Sequence, residues 1–145
     1  PLLFHLLNYR ENIIDMTFML QKEVVERIIA APGTKTYGRL SVVIQAFFDT
    51  ELMFLVPKES FDPQPKIESA ILYLKTKSIP LVQNLKSLEE IVKLAFSQRR
   101  KTLKNCLKSV LDQSQTHIDL SQRAEMLSLD SFVTLMNDYE KQYRN

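Results

Sequence analysis

The sequence predicts an α/β layer followed by a small all-helical module. Three observations carry that reading. Apolar runs and amphipathic stretches alternate over residues 1–77, a polar stretch at 78–87 interrupts them, and helical spacing alone continues over 88–145. The composition, 145 residues with 45% hydrophobic and 25% charged side chains, is that of a folded globular chain that buries about two-thirds of its unfolded surface.

Leu2 to Tyr9 reads as the end of a helix. Met16 to Leu20 is a continuous apolar run between Asp15 and Gln21, which predicts a strand buried on both faces of a parallel sheet. Residues 22–30 place Val24, Val25, Ile28 and Ile29 on one helical face. Pro32 and Gly33 end that helix and open a loop to Arg39. Leu40 to Phe48 is ambiguous, because Val42, Val43 and Ile44 are β-branched. Leu52–Val56 and Ile67–Lys75 are strand-like and flank a proline-rich loop.

Ser78-Ile79-Pro80 and Gln83-Asn84 form the expected linker. Ser87 followed by Glu90 is a capping-box pattern, predicting one long helix from about 88 to 111. Asp119 with Gln122, and Ser128 before Leu129, mark two further helix starts. The last carries Leu129, Phe132, Val133, Leu135, Met136 and Tyr139 at helical spacing.

Several function classes are excluded early. Gly33 and Gly38 are the only glycines, too few for any glycine-rich cofactor loop. Cys106 is the only cysteine, which precludes an internal disulfide and suits a reducing cytoplasm. His5 and His117 are the only histidines, so no His/Cys zinc site is expected. No apolar stretch is long enough to span a membrane, and the first residues lack the basic start of a signal peptide.

Charge is unevenly spread. Residues 91–111 hold Lys93, Arg99, Arg100, Lys101, Lys104 and Lys108 and no acid, whereas residues 1–90 are nearly balanced. Such a patch is either a polyanion contact or a solvated helix face. On one continuous helix, Lys93, Arg100, Lys101, Lys104 and Lys108 share a sector of about 100°. Arg99 falls opposite, among Val92, Ala95, Leu103, Cys106 and Val110, and is expected to anchor the module to the α/β part. The second constellation is the stiff loop Phe61-Asp62-Pro63-Gln64-Pro65-Lys66-Ile67-Glu68-Ser69. Its ring, Phe61, either plugs the core or stacks on an extruded nucleobase.

These constellations, with Pro1-Leu2-Leu3-Phe4, Phe18 to Val24, Tyr37-Gly38-Arg39-Leu40-Ser41-Val42, Gln98-Arg99-Arg100-Lys101-Thr102 and Arg123-Ala124-Glu125, resemble the ribosomal RNA adenine N6-dimethyltransferase family. The resemblance is to its small-subunit branch. It implies the C-terminal half of a Rossmann-like methyltransferase sheet (residues 1–77), a linker (78–87) and a helical rRNA-binding domain (88–145). It further implies methyl transfer from S-adenosylmethionine to N6 of two adjacent adenines in 16S rRNA, with Phe61 stacking on the target base. Lys93, Arg100, Lys101, Lys104, Lys108, Tyr37, Arg39 and Lys66 are the expected RNA contacts.

The sequence departs from the family pattern in lacking the Asn-Leu-Pro-Tyr motif, the glycine-rich donor loop and the acid expected at the donor's ribose. The expectation is therefore a C-terminal part, inactive alone, binding neither donor nor metal, and self-associating through an exposed sheet edge. Two alternatives stand beside it: a non-catalytic rRNA-binding or ribosome-assembly module, and the 23S rRNA resistance branch.

Overall fold

The computed structural model describes residues 2–144. The elements run α1 (Leu2–Leu7), β1 (Asp15–Gln21), α2 (Lys22–Ile29), α3 (Arg39–Phe47), β2 (Phe48–Val56), β3 (Ser69–Thr76), α4 (Leu85–Ala95), α5 (Leu103–Leu107) and α6 (Leu129–Arg144). Short 3-10 turns occupy Arg10–Asn12, Lys58–Ser60, Gln113–Gln115 and Ala124–Met126.

The three strands form one sheet in the order β1-β3-β2, with β3 antiparallel to both neighbours. The expected pairing in a parallel sheet is thus corrected. The chain leaves β2, crosses the proline-rich loop and returns as β3 between the other two strands. β1 is also not buried on both faces. Met16, Phe18 and Leu20 turn toward the core, while Thr17 and Met19 are exposed. The reason is that α2 and α3 cover only the side that carries Ala70, Leu72 and Leu74 of β3, all fully buried. A bulge at Met53 shifts the β2 register, so that Leu52 faces Leu72 but Phe54 faces Ile71. Phe54 and Met19 therefore flank Ile71 on the uncovered side and are 58% and 52% exposed.

The ambiguous segment 40–48 resolves into α3 and the first residue of β2. Val42, Val43 and Ile44 are fully buried because α3 packs against α2 and the sheet, and also against α4 and α6. Apolar cover all round outweighs the small propensity cost of β-branching. Gln45 on α3 donates to the carbonyls of Ile28 (2.7 Å) and Ala30 (2.9 Å), satisfying the end of α2. Ser41 Oγ donates to the Arg27 carbonyl and accepts from Gly38 N–H at 3.1 Å. Together these bonds lock the two helices around the 30–38 loop.

The single helix expected over 88–111 is two helices. α4 starts earlier, capped by Asn84, whose side chain accepts from Ser87 N–H at 3.1 Å, so Asn84 takes the capping place expected of Ser87. It stops at Ala95, where Ser97 Oγ donates back to the Leu94 carbonyl at 2.6 Å. α5 restarts after its cap, Thr102. The N–H groups of Leu103 and Lys104 donate to the carbonyls of Gln122 (2.9 Å) and Leu120 (2.8 Å). Those bonds also explain why Asp119 starts no α-helix. Its carboxylate accepts from Ser121 N–H and Oγ instead, which closes a tight turn.

α4 begins inside the stretch read as linker, and that stretch is pinned by Lys77 N–H to the Phe47 carbonyl and Leu81 N–H to the Ala46 carbonyl. The buried apolar residues form one continuous cluster from the sheet to α6. Tyr37, Phe96 and Phe132 link its two ends, with Phe96 stacked on Phe132 (5.6 Å) and edge-on to Tyr37 (6.2 Å).

Candidate nucleic-acid interface

The basic segment and the 30–38 loop meet because buried bonds fasten them together. Gly33 has φ +86°, a conformation that favours glycine, and its N–H donates to the Glu125 carbonyl at 2.7 Å. The Tyr37 hydroxyl donates to the Leu127 carbonyl at 2.8 Å, from a fully buried ring. Arg99 reaches the same loop from the turn between α4 and α5, donating through Nη2 to the Tyr37 carbonyl at 3.1 Å. Gly38 lies under that guanidinium, and a Cβ there would stand 3.4 Å from Nη2.

These contacts frame a cleft of about 910 Å³ between α1, the start of α3 and the end of α4. Phe4, Leu40 and Phe96 contribute its apolar wall, and Arg27, Arg39, Lys93 and Arg99 its cations. Among the described residues no carboxylate lines it. Among the described residues the ion pairs are Lys22–Glu26, Arg27–Glu23 and Lys77–Asp49. Arg27 is thus partly neutralised by Glu23, whereas none of these pairs takes up Arg39, Lys93 or Arg99.

The structure divides the expected site residues into three groups. Lys93 and Arg99, expected on opposite sides of one helix, line the same cleft as Arg39, because the helix breaks between them. Arg100, Lys101, Lys104 and Lys108 are exposed on the turn, on α5 and just beyond it. The 100° sector for these lysines and arginines does not exist as drawn. Phe61 and Lys66 stand apart in the β2–β3 connection and do not line the cleft. Phe61 is half-buried, follows the Lys58–Ser60 turn and precedes a cis Asp62–Pro63 peptide, while Lys66 is exposed.

Tyr37 requires a correction. It was expected at the RNA, but none of its surface is exposed, so it touches no external ligand. Burial also pushes its phenol well above the ordinary value of 10.0, keeping it a neutral donor. Phe4, Arg27 and Phe96 are cleft residues that sequence reasoning missed. Phe96 alone left a signal, as the aromatic next to the basic run.

The family model for ribosomal RNA adenine dimethylase matches residues 1–141. Ribosomal RNA small subunit methyltransferase A of Francisella tularensis subsp. novicida (strain U112) is 51% identical over 143 residues, covering 94% of this chain and 55% of that protein. The protein of the same name from subsp. tularensis (strain FSC 198) is 50% identical with the same coverage. The chain therefore spans about half the length of the curated relatives it matches.

The crystal structure of a dimethyladenosine transferase from Plasmodium falciparum matches with a TM-score of 0.85 at 22% identity, over 99% of this chain and 63% of that one. That of the 23S rRNA methyltransferase ErmE matches at 0.64 and 21% identity, over 88% and 55%. These likenesses establish the fold: part of a Rossmann-like methyltransferase sheet followed by a helical segment. From the family match and the identity to its small-subunit members, the chain belongs to the ribosomal RNA adenine dimethylase family.

Proposed function

We propose that these residues form the RNA-gripping and base-presenting part of an enzyme that dimethylates N6 of two adjacent adenines in 16S rRNA. The observation that carries this is the acid-free cleft and the basic run beside it, in a chain of this family. Arg39, Lys93, Arg100, Lys101, Lys104 and Lys108 meet phosphates, with Lys66 doing so beside the proline loop. Residues 1–77 act as the later half of the methyltransferase domain and 88–145 as the rRNA-binding domain. Arg99 anchors the two through its bond to the 30–38 loop. This reading places the work in the cytoplasm, on the small ribosomal subunit.

Phe61 has the role of holding the extruded adenine. A ring face against the purine fixes the base plane, so that the exocyclic amine is presented at one angle, and orientation of this kind lowers the barrier. S-adenosylmethionine is the donor such a reaction implies, and it supplies an electrophilic methyl group. The 145 residues do not fit it. Gly33 is committed to its turn against Glu125 and Gly38 to the start of α3, so neither builds a donor loop. No step through the donor is assigned to these residues, and they alone are expected to give no calorimetric heat with it and no methyl transfer.

The test uses a protein of the relatives' full length that contains these residues, assayed on small ribosomal subunits with the modified nucleotides mapped. Phe61→Leu keeps an apolar side chain but removes the ring face. It is expected to lower the rate of methyl transfer on the order of tenfold or more, in line with the strength of base–aromatic stacking. Subunit affinity is expected to change much less. Undiminished transfer by Phe61→Leu, or modification of 23S instead of 16S rRNA, overturns the reading.

For the 145-residue chain by itself we propose in addition that two copies pair through the β1 edge.

A further inference from the structure

We propose that the cleft between α1, α3 and α4 receives one unstacked nucleotide of the RNA, with its base on the apolar wall and its phosphate on the cations. This rests on the RNA-binding reading above and deepens it. It adds a second place for a base, away from Phe61.

The cleft has the two parts that such a ligand needs. Its volume of about 910 Å³ lies within the range of small-ligand sites, with room for a nucleotide. The wall carries two rings, Phe4 and Phe96, of which Phe96 is held in place by Phe132 behind it and Tyr37 beside it. A ring fixed in this way loses little freedom when a base is laid against it. Lys93 and Arg99, the latter held by its bond to the Tyr37 carbonyl, stand at the same cleft, with no carboxylate among the described residues to compete for them. Arg39 lies over the Phe4 ring with its guanidinium carbon 6.0 Å from the centroid, at the outer limit of a cation–π contact. It therefore gives up little by turning to a phosphate or stacking on a base.

This combination selects for single-stranded RNA. A duplex offers phosphates to the cations but keeps its bases in the stack, leaving the apolar wall uncovered. An unpaired nucleotide covers both.

The test uses the 145-residue chain and a ten-nucleotide RNA carrying one central 2-aminopurine, single-stranded or annealed to its complement. Binding is followed by anisotropy, and stacking by quenching of the 2-aminopurine. The single strand is expected to bind on the order of tenfold more tightly than the duplex. Phe4→Leu is expected to weaken single-strand binding several-fold and to relieve the quenching, leaving the duplex affinity unmoved. Arg39→Gln is expected to relieve the quenching and to weaken single-strand binding more than duplex binding, because it also removes a phosphate contact. Arg39→Gln is a surface change, so it keeps the test decisive if Phe4→Leu fails to fold.

If Arg100→Gln with Lys104→Gln weakens binding while Arg39→Gln does not, the cleft proposal is wrong and the RNA grip stands. An equal loss on both RNAs upon Arg39→Gln also overturns it, since that is a charge effect only. If the unaltered chain binds neither RNA, both readings fall.

Discussion

Tyr37 shows how one side chain can organise the cleft without facing it. Its hydroxyl satisfies the Leu127 carbonyl at 2.8 Å, and its own carbonyl receives Arg99. Tyr37→Phe leaves a buried carbonyl without its partner, which is expected to cost about 1–2 kcal/mol at pH 7. The pH dependence follows from the raised phenol. The folded chain keeps Tyr37 neutral above its ordinary value of 10.0, whereas the unfolded chain ionises it there. The share of stability that Tyr37 contributes is therefore full below about pH 10 and is lost as the pH climbs further, a loss that Tyr37→Phe does not share. Urea unfolding should show the gap between the two proteins narrowing by about 1.4 kcal/mol per pH unit above 10. A gap that stays constant to pH 11.5 contradicts this account. Sequence reading picked out Tyr37 for its neighbours Gly38 and Arg39, but nothing local records that its ring points inward to a carbonyl ninety residues away.

Among the elements, α2, β2, β3 and α6 were legible because their signals are local: apolar spacing, turn residues, and Ser128, whose Oγ accepts from Ser131 N–H at 3.1 Å. The break between α4 and α5 was not. Apolar residues keep helical spacing across 88–111, and what divides the segment, beside the Thr102 cap, are carbonyls of Leu120 and Gln122 that accept the first N–H groups of α5. A competing partner from a distant segment leaves no mark in a helical wheel. The cap of α4 gives a measurable consequence. Asn84→Ala removes the bond to Ser87 N–H and is expected to destabilise the chain by about 1 kcal/mol. Ser87→Ala, which the capping-box pattern would rank as the worse change, is expected to stay within about 0.5 kcal/mol. Denaturation midpoints of both variants decide the matter, and a reversed order places the cap back at Ser87.

For the molecule as a whole, the sheet is covered on one side and ends at β1 without a neighbour among the described residues. β2, the other edge, is guarded by a bulge and by Asp49 and Glu51, while β1 has no charge between Asp15 and Gln21. Self-pairing through β1 is thus expected to give dimers or larger species in sedimentation at micromolar concentration. Thr17→Lys, an exposed β1 position, is expected to return the chain to monomer. A wild-type chain that sediments as a monomer removes the proposal.

The family, the α/β-then-α order and the concentration of cations in one stretch can be read from the residues alone, because they depend on residue types and local spacing. That Lys93, Arg99 and Arg39 share one cleft, that Tyr37 is sealed from it and that Phe96 forms part of its wall emerges from the packed fold. Those outcomes turn on where the chain breaks and which carbonyls claim its N–H groups. Bonds of that kind join residues far apart in sequence, so they are settled only when the whole chain packs.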